Sequence, residues 1–163
     1  MDIVEMLRDD EEAILAEALP AVAWLRHYGR DGAETARERL EALYRLVERA
    51  IRDRDLEELL AHARAVARER FEAGYDRVEV VAAFSALEEA IWHQALRRLP
   101  AEEQAWALGL VGTALAHAKD ALARAFASLS QGTRPAYTDM TRIFRGAEAG
   151  RRDRFAEDLV YPV

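Results

Sequence analysis

Apolar residues recur every three to four positions along nearly the whole chain, and no run alternates apolar with polar residues as a half-buried strand does. This spacing predicts an all-α protein. Glycine, proline and capping signals divide the pattern into predicted helices at residues 3–28, 33–51, 56–73, 77–99 and 100–129. We therefore expect an antiparallel bundle of four to five long helices over residues 1–130, followed by a tail with short helices over residues 131–163.

Two local signals within the first predicted helix indicate where it is interrupted. Pro20 lacks an amide donor and its ring clashes with the preceding turn, so we expect a kink or a break there. Gly29 and Gly32 are expected to end the helix, since glycine is the usual residue just beyond a helix C-terminus.

Two acidic pairs have the spacing of a capping box, in which the first residue caps the helix and the second reaches back to it. They are Asp55 with Glu58 and Asp76 with Glu79. These pairs predict the N-termini of the helices at 56–73 and 77–99.

Composition excludes several functions. The chain has 163 residues, of which 51% are hydrophobic, so one domain with a sizeable core is expected. Its 30 acidic and 23 basic residues give a formal charge of −7, which opposes binding to nucleic acid or to anionic lipid. There is no cysteine, no secretion-type leader and no long apolar run. We expect a cytoplasmic protein with no nucleic-acid and no membrane partner.

The sequence shows no catalytic or metal-binding signature. A di-iron bundle needs Glu-x-x-His elements that face inward. The residues three positions before the four histidines are Trp24, Leu59, Ala90 and Ala114. All four histidines are also predicted to point away from the apolar stripes of their helices. We therefore predict no catalytic residue, no metal site, no cofactor and no enzyme activity.

The helix at 77–99 carries the candidate ligand or buried polar residues Ser85, Glu88 and Trp92. Glu88 lies near the middle of the apolar stripe, where a carboxylate must be paired, hydrogen-bonded or protonated. An arginine partner or exposure at a bundle end is one interpretation, and a ligand-contacting or regulatory role is the other. Trp92 is expected to pack in the core, while His93 and Glu89 have the spacing of an exposed pair.

The helix at 100–129 has two apolar sides. One is the predicted core stripe, and the other aligns Trp106, Leu110, His117 and Ala121. Such a helix is either central in its bundle or shared between subunits. We predict that this second side forms a homodimer or partner interface.

The segment HARAVARERFEAGYDRVEVVAAFSALEEAIW, which begins at His62, joins a helix that opens with His-Ala-Arg to a second helix through a glycine turn. With the long Ala- and Leu-rich helix that follows, it resembles the N-terminal helical domain of stressosome co-antagonist proteins of the RsbR group, also found on some bacterial histidine kinases and transcription regulators. In that group arginines often occupy the positions held here by Ser85 and Glu88, so any charge arrangement there is altered or reversed.

This resemblance implies a sensory or regulatory module, usually dimeric, that acts in stress-response signalling through a protein partner. Two other functions stay open. Alanines that face inward would leave space for an apolar small molecule or a tetrapyrrole. An enzyme would instead require Glu88 to lie beside a cleft with a raised pKa.

Overall fold

The computed structural model of the chain describes residues 1–133, and all regular structure in that range is helical. The predicted all-α class is confirmed. The seven helices within this range are α1 (Ile3–Asp9), α2 (Glu11–Ala23), α3 (Arg26–Asp31), α4 (Ala33–Asp53), α5 (Glu57–Glu72), α6 (Arg77–Arg98) and α7 (Ala101–Thr133). None of these helices is long and apolar enough to cross a bilayer.

All seven helices contribute buried side chains to one hydrophobic core. Helices α2 and α5 each pack against both α4 and α6, and Phe71 of α5 meets Phe126 of α7 edge to face. Leu40, Leu43 and Val47 of α4 are buried at the positions that the periodicity predicts. Burying one such side chain contributes about 1.5–3 kcal/mol, so the shared apolar faces are the main source of stability.

The residues Met1–Leu129 form one compact unit, and a second unit begins at Ser130. Residues 134–163 lie outside the described part of the chain. The predicted tail at 131–163, with its short helices, therefore stays a prediction.

The first predicted helix is three helices, and its interruptions do not coincide with Pro20. They fall at Asp10 and at the Trp24–Leu25 turn, whereas Pro20 lies on the exposed side inside α2. The expected break at Pro20 is therefore not found. Helix α2 continues through this position and ends three residues later, at Ala23. Gly32 does end α3, but Gly29 is inside it.

The predicted capping boxes form only in part. Asp76 accepts a 2.9 Å hydrogen bond from the Val78 amide and caps α6. Its partner Glu79 does not reach back, because its carboxylate turns inward to His27. A complete capping box instead joins Asp2 and Glu5 at the start of α1.

The Asp55 and Glu58 pair departs from the capping box in the same way. Asp55 accepts from the Glu57 amide at 2.9 Å, while Glu58 bonds to Arg49 of α4 at 2.5 Å. In both pairs, the glutamate thus contacts another helix instead of accepting the predicted hydrogen bond from the capping residue's backbone amide.

Gly29 allows α3 to approach the end of α2. A Cβ at this position would lie 2.7 Å from the backbone oxygen of Ala23. We expect Gly29→Ala to lower the free energy of unfolding by about 1–3 kcal/mol, because backbone rather than a flexible side chain has to shift. Urea unfolding followed by circular dichroism measures this change.

Gly109→Ala is the matched control. Gly109 is a helical glycine with open space where its Cβ would be. Alanine there is expected to stabilise the protein by roughly 0.5–1 kcal/mol. Equal effects of the two substitutions would contradict the close approach at Gly29.

Candidate functional site

A cavity of about 250 Å³ lies between α3, α4, α5 and α6. Its inner wall is apolar apart from a tyrosine and an arginine and consists of buried residues, namely Tyr28, Leu40, Leu43, Val66, Arg70, Ala83 and Phe84. Its mouth includes the exposed residues Glu38, Ala42 and Glu69. We call this space the Arg70 cavity.

Arg70 is the most unusual residue of the cavity wall. It is only 4% exposed, and its Nη1 donates to the carboxylate of its exposed neighbour Glu69. Its Nε is buried and has no hydrogen-bond partner among residues 1–133. A buried donor without a partner costs about 1–3 kcal/mol, and more when the group is charged. The buried Nε–H of Arg70 therefore lacks an acceptor among the described residues.

Two tyrosine rings hold the guanidinium groups at this end of the bundle. Tyr28 and Tyr75 meet edge to face with their ring centroids 5.2 Å apart. The Cζ atoms of Arg39 and Arg70 lie 5.6 and 5.9 Å from the Tyr28 centroid, and 5.7 and 5.6 Å from the Tyr75 centroid. At these distances each cation is attracted to the electron-rich ring faces.

Arg39 is hydrogen-bonded to a carboxylate and to a hydroxyl at this end of the bundle. Its Nη1 donates to Asp31 Oδ2 at 3.0 Å and to the Tyr75 hydroxyl at 2.8 Å, while that hydroxyl donates to Asp31. The hydrogen bond from Tyr75 is the main reason that the pKa of Asp31 is lowered to about 2. We call these residues the Asp31 cluster.

His27 and Glu79 form a second polar contact beside the Asp31 cluster. Glu79 accepts from the His27 amide at 2.5 Å, and its other oxygen lies 2.6 Å from His27 Nδ1. The His27 ring also stacks on Tyr75, with the centroids 4.8 Å apart. The prediction that His27 points outward is wrong, because the short helix α3 docks its ring onto the start of α6.

The other histidines divide between the cavity and the surface. His62 lines the Arg70 cavity, so its predicted outward direction is also wrong. Burial, aided by the positive charge of Arg70, lowers the pKa of His62. His117 is exposed, as predicted. His93 is exposed too, 4.0 Å from Glu89 and 2.6 Å from Glu17.

Glu88 and Ser85 both contact a lysine, whereas an arginine partner was one interpretation of Glu88 from the sequence. Lys119 Nζ of α7 lies 2.5 Å from Glu88 Oε2 and 3.4 Å from Ser85 Oγ. Glu88 is buried at 8% exposure, so the ion pair supplies the partner that a core-facing carboxylate needs. Neither residue lines the Arg70 cavity.

Trp92 is not in the core, and that prediction is wrong. Its side chain is 39% exposed and covers Gly112, whose missing Cβ would lie 3.8 Å from the Trp92 ring. Trp92 lies at the edge of the buried stripe of α6, beside buried Ile91 and Ala95. The three candidates Ser85, Glu88 and Trp92 thus belong to the contact between α6 and α7.

The proposed interface residues of α7 lie at or near the surface. Trp106 is 59% exposed and stacks under Arg54, whose Cζ lies 5.6 Å from the ring centroid. His117 is exposed, while Leu110 and Ala121 are half-buried. This side of α7 is accessible in the single chain, and its role as an interface stays a prediction.

Sequence reasoning missed Arg70, although a signal was present. The buried residues of α5 recur at helical spacing as Leu59, Ala63, Val66, Ala67 and Arg70. The arginine therefore continues an apolar stripe, where a charged side chain is rare unless it is paired.

Comparison with protein-family models, curated proteins and solved structures finds no match to this chain. The resemblance to the RsbR group thus stays a prediction that rests on the residues quoted for it.

The Asp31 cluster yields a pH prediction. We expect Tyr75→Phe to raise the pKa of Asp31 from about 2 toward its ordinary value of 3.8, because the strongest hydrogen bond to the carboxylate is lost. A carboxyl ¹³C NMR titration measures the shift. The lowered pKa means that Asp31 stabilises the fold fully above about pH 4, and that this contribution is lost as the pH falls toward 2.

Tyr44→Phe provides the control, since Tyr44 donates to the backbone oxygen of Leu7 at a different place in the core. That variant should leave the pKa of Asp31 unchanged. An Asp31 pKa that stays near 2 in Tyr75→Phe would show that another group holds the carboxylate.

Proposed function

We propose that the chain is a non-catalytic sensory or regulatory module that binds a small molecule in the Arg70 cavity. The observation that carries this proposal is the cavity itself, whose wall includes a buried guanidinium with one N–H that finds no acceptor within residues 1–133. Binding would be transmitted through dimerisation and contact with a protein partner. The resemblance to stress-response modules of the RsbR group supports this role.

The chemistry of the wall favours binding over catalysis. The cavity is lined by apolar side chains, arginines, a histidine and a tyrosine, with two exposed glutamates at the mouth. The lining residues that the structure describes include no serine, cysteine or lysine nucleophile. Concave apolar sites with a few convergent polar groups are typical of small-molecule binding.

The position of the cavity supports a regulatory response. Its wall draws on four helices, so an occupant contacts all of them at once. A ligand shifts a protein between two packings only by as much as it prefers one of them. Filling a space lined by four helices supplies such a preference.

A tetrapyrrole is the second candidate from the sequence, and the volume of the cavity weighs against it. At about 250 Å³ the space lies below the roughly 300–1,000 Å³ of common ligand pockets. A ligand of one ring or one short chain fits this space better than a macrocycle.

Blocking the mouth tests the binding function. Ala42 is exposed at the mouth, so Ala42→Trp narrows the entrance without altering the buried wall. We expect small single-ring and short-chain compounds, neutral and acidic, to shift the backbone amide signals of Tyr28, Val66 and Ala83 in wild-type protein but not in Ala42→Trp. Two-dimensional ¹H–¹⁵N NMR measures these shifts.

Ala16→Trp is the matched control, because Ala16 is an exposed alanine of α2 outside the cavity lining. It should respond as the wild type does. Identical responses in all three proteins, or no response from any compound, would contradict ligand binding in the Arg70 cavity.

Dimerisation has a separate test. Leu110→Arg places a charge among Trp106, His117 and Ala121, and we expect a folded monomer in place of a dimer, because a charge is costly in an apolar interface. Sedimentation velocity reports the mass, and circular dichroism reports the fold. Leu96→Arg, which alters an exposed leucine of α6, should leave the dimer intact. A dimer that survives in Leu110→Arg would remove this face from the interface.

A further inference from the structure

We infer that the ligand of the Arg70 cavity is a small organic carboxylate with a single negative charge. It replaces Glu69 as the hydrogen-bond partner of Arg70. This inference rests on the proposed function, since it names the class of molecule that the cavity receives.

Charge is arranged by depth around the cavity. The buried cation Arg70 lies in the inner wall, whereas the carboxylates Glu38 and Glu69 are exposed at the mouth. Interactions of exposed charges are weakened by water and salt, while buried charges are screened much less. The inner part of the cavity therefore favours an anion despite the two glutamates.

The open edge of the guanidinium indicates a carboxylate. Glu69 contacts Nη1, at the end of the group, and Nε on its side edge has no partner among the described residues. A planar carboxylate binds such an edge with two parallel hydrogen bonds. A neutral amide or alcohol would supply one weaker acceptor.

Replacement of Glu69 by the ligand as the partner of Arg70 explains how the ligand reaches the buried Nε atom. Nε is buried in the structure, and the carboxylate that holds the guanidinium belongs to an exposed side chain 67% accessible to solvent. Release of Glu69 frees the guanidinium to turn toward the cavity. The protein then has two arrangements of Arg70, one paired with Glu69 and one with the ligand.

The count of free cations sets the charge of the ligand. Arg39, the second arginine of the lining, is already bonded to Asp31 and Tyr75. Among the described residues that line the cavity, Arg70 is the arginine whose carboxylate partner is an exposed side chain, so one negative charge from a ligand matches it. A phosphate or a dicarboxylate would bury a second charge without compensation.

The apolar wall sets the body of the ligand. Leu40, Leu43, Val66 and Phe84 surround a space of about 250 Å³. A cavity of about 150 Å³ accepts benzene, so this one accommodates a single ring or a short alkyl chain with its carboxylate.

Matched acids and amides test the inference. Benzoate and hexanoate are titrated against benzamide and hexanamide, with binding followed by the amide signals of the cavity wall. Both acids should bind about tenfold or more tightly than their amides, as the loss of one charge-assisted bond predicts. Glu69→Gln removes the competing carboxylate and should tighten the acids by about tenfold while leaving the amides unchanged.

Glu72→Gln is the control for charge alone. It removes a carboxylate from the same helix at a residue outside the cavity lining, so it should not alter the preference for acids. Arg70→Met should abolish that preference. If Arg70→Met fails to fold, the comparison of Glu69→Gln with Glu72→Gln still decides the question.

The titration of His62 gives an independent readout. The charges of Arg70 and Glu69 act on this imidazole. The other titratable or charged residues described in the cavity lining are Glu38 and Arg39 from α4 and Tyr28 from α3, whereas the described lining residues of α6 are Ala83 and Phe84. A bound carboxylate should raise the pKa of His62, and a bound amide should not.

Failure of this inference is distinguishable from failure of the proposed function. Equal binding of acids and amides, with both blocked by Ala42→Trp, would overturn the carboxylate inference and leave the proposed function standing. If none of the four compounds shifts the amide signals of the cavity wall in wild-type protein or in Glu69→Gln, the carboxylate inference and the proposed function are both overturned.

Discussion

Two guanidinium groups share two tyrosine rings, and the geometry of this end of the bundle depends on that contact. Arg39 and Arg70 each lie within 6 Å of the centroids of Tyr28 and Tyr75, although like charges repel. The ring faces and the Asp31 carboxylate offset that repulsion. Because the four residues come from α3, α4, α5 and the turn before α6, their mutual contact fixes the spacing of the helices that surround the cavity.

The two arginines differ in how completely they are satisfied. Arg39 bonds to Asp31 and Tyr75, whereas Arg70 is paired with the carboxylate of exposed Glu69, and its Nε is buried without a hydrogen-bond partner among the described residues. Local rules of structure are most often broken where a protein acts. The buried Nε of Arg70 is such a departure, and the proposed function rests on it.

Periodicity was sufficient to predict the helical class, the helices α4 to α7 and most of the core, because all of these follow from residues near one another in the chain. The register of α4, for example, follows from Leu40, Leu43 and Val47 alone. Glu79 shows where this reasoning stops. Its spacing from Asp76 predicts a cap, but α3 brings His27 against it from 52 positions away. Trp92 fails for a related reason, since only the packing of α7 decides which edge of α6 is covered.

The ion pair between Glu88 and Lys119 has a chemical consequence. Lys119 is the one lysine of a chain whose other basic side chains apart from histidine are arginines. Its ε-amine is thus the one side-chain amine of the sequence. Acetylation at Lys119 would cancel the charge opposite Glu88 and leave every arginine pair untouched. Acylation of this one side-chain amine would therefore alter the contact between α6 and α7, and no other side-chain amine of the sequence competes for the acyl group.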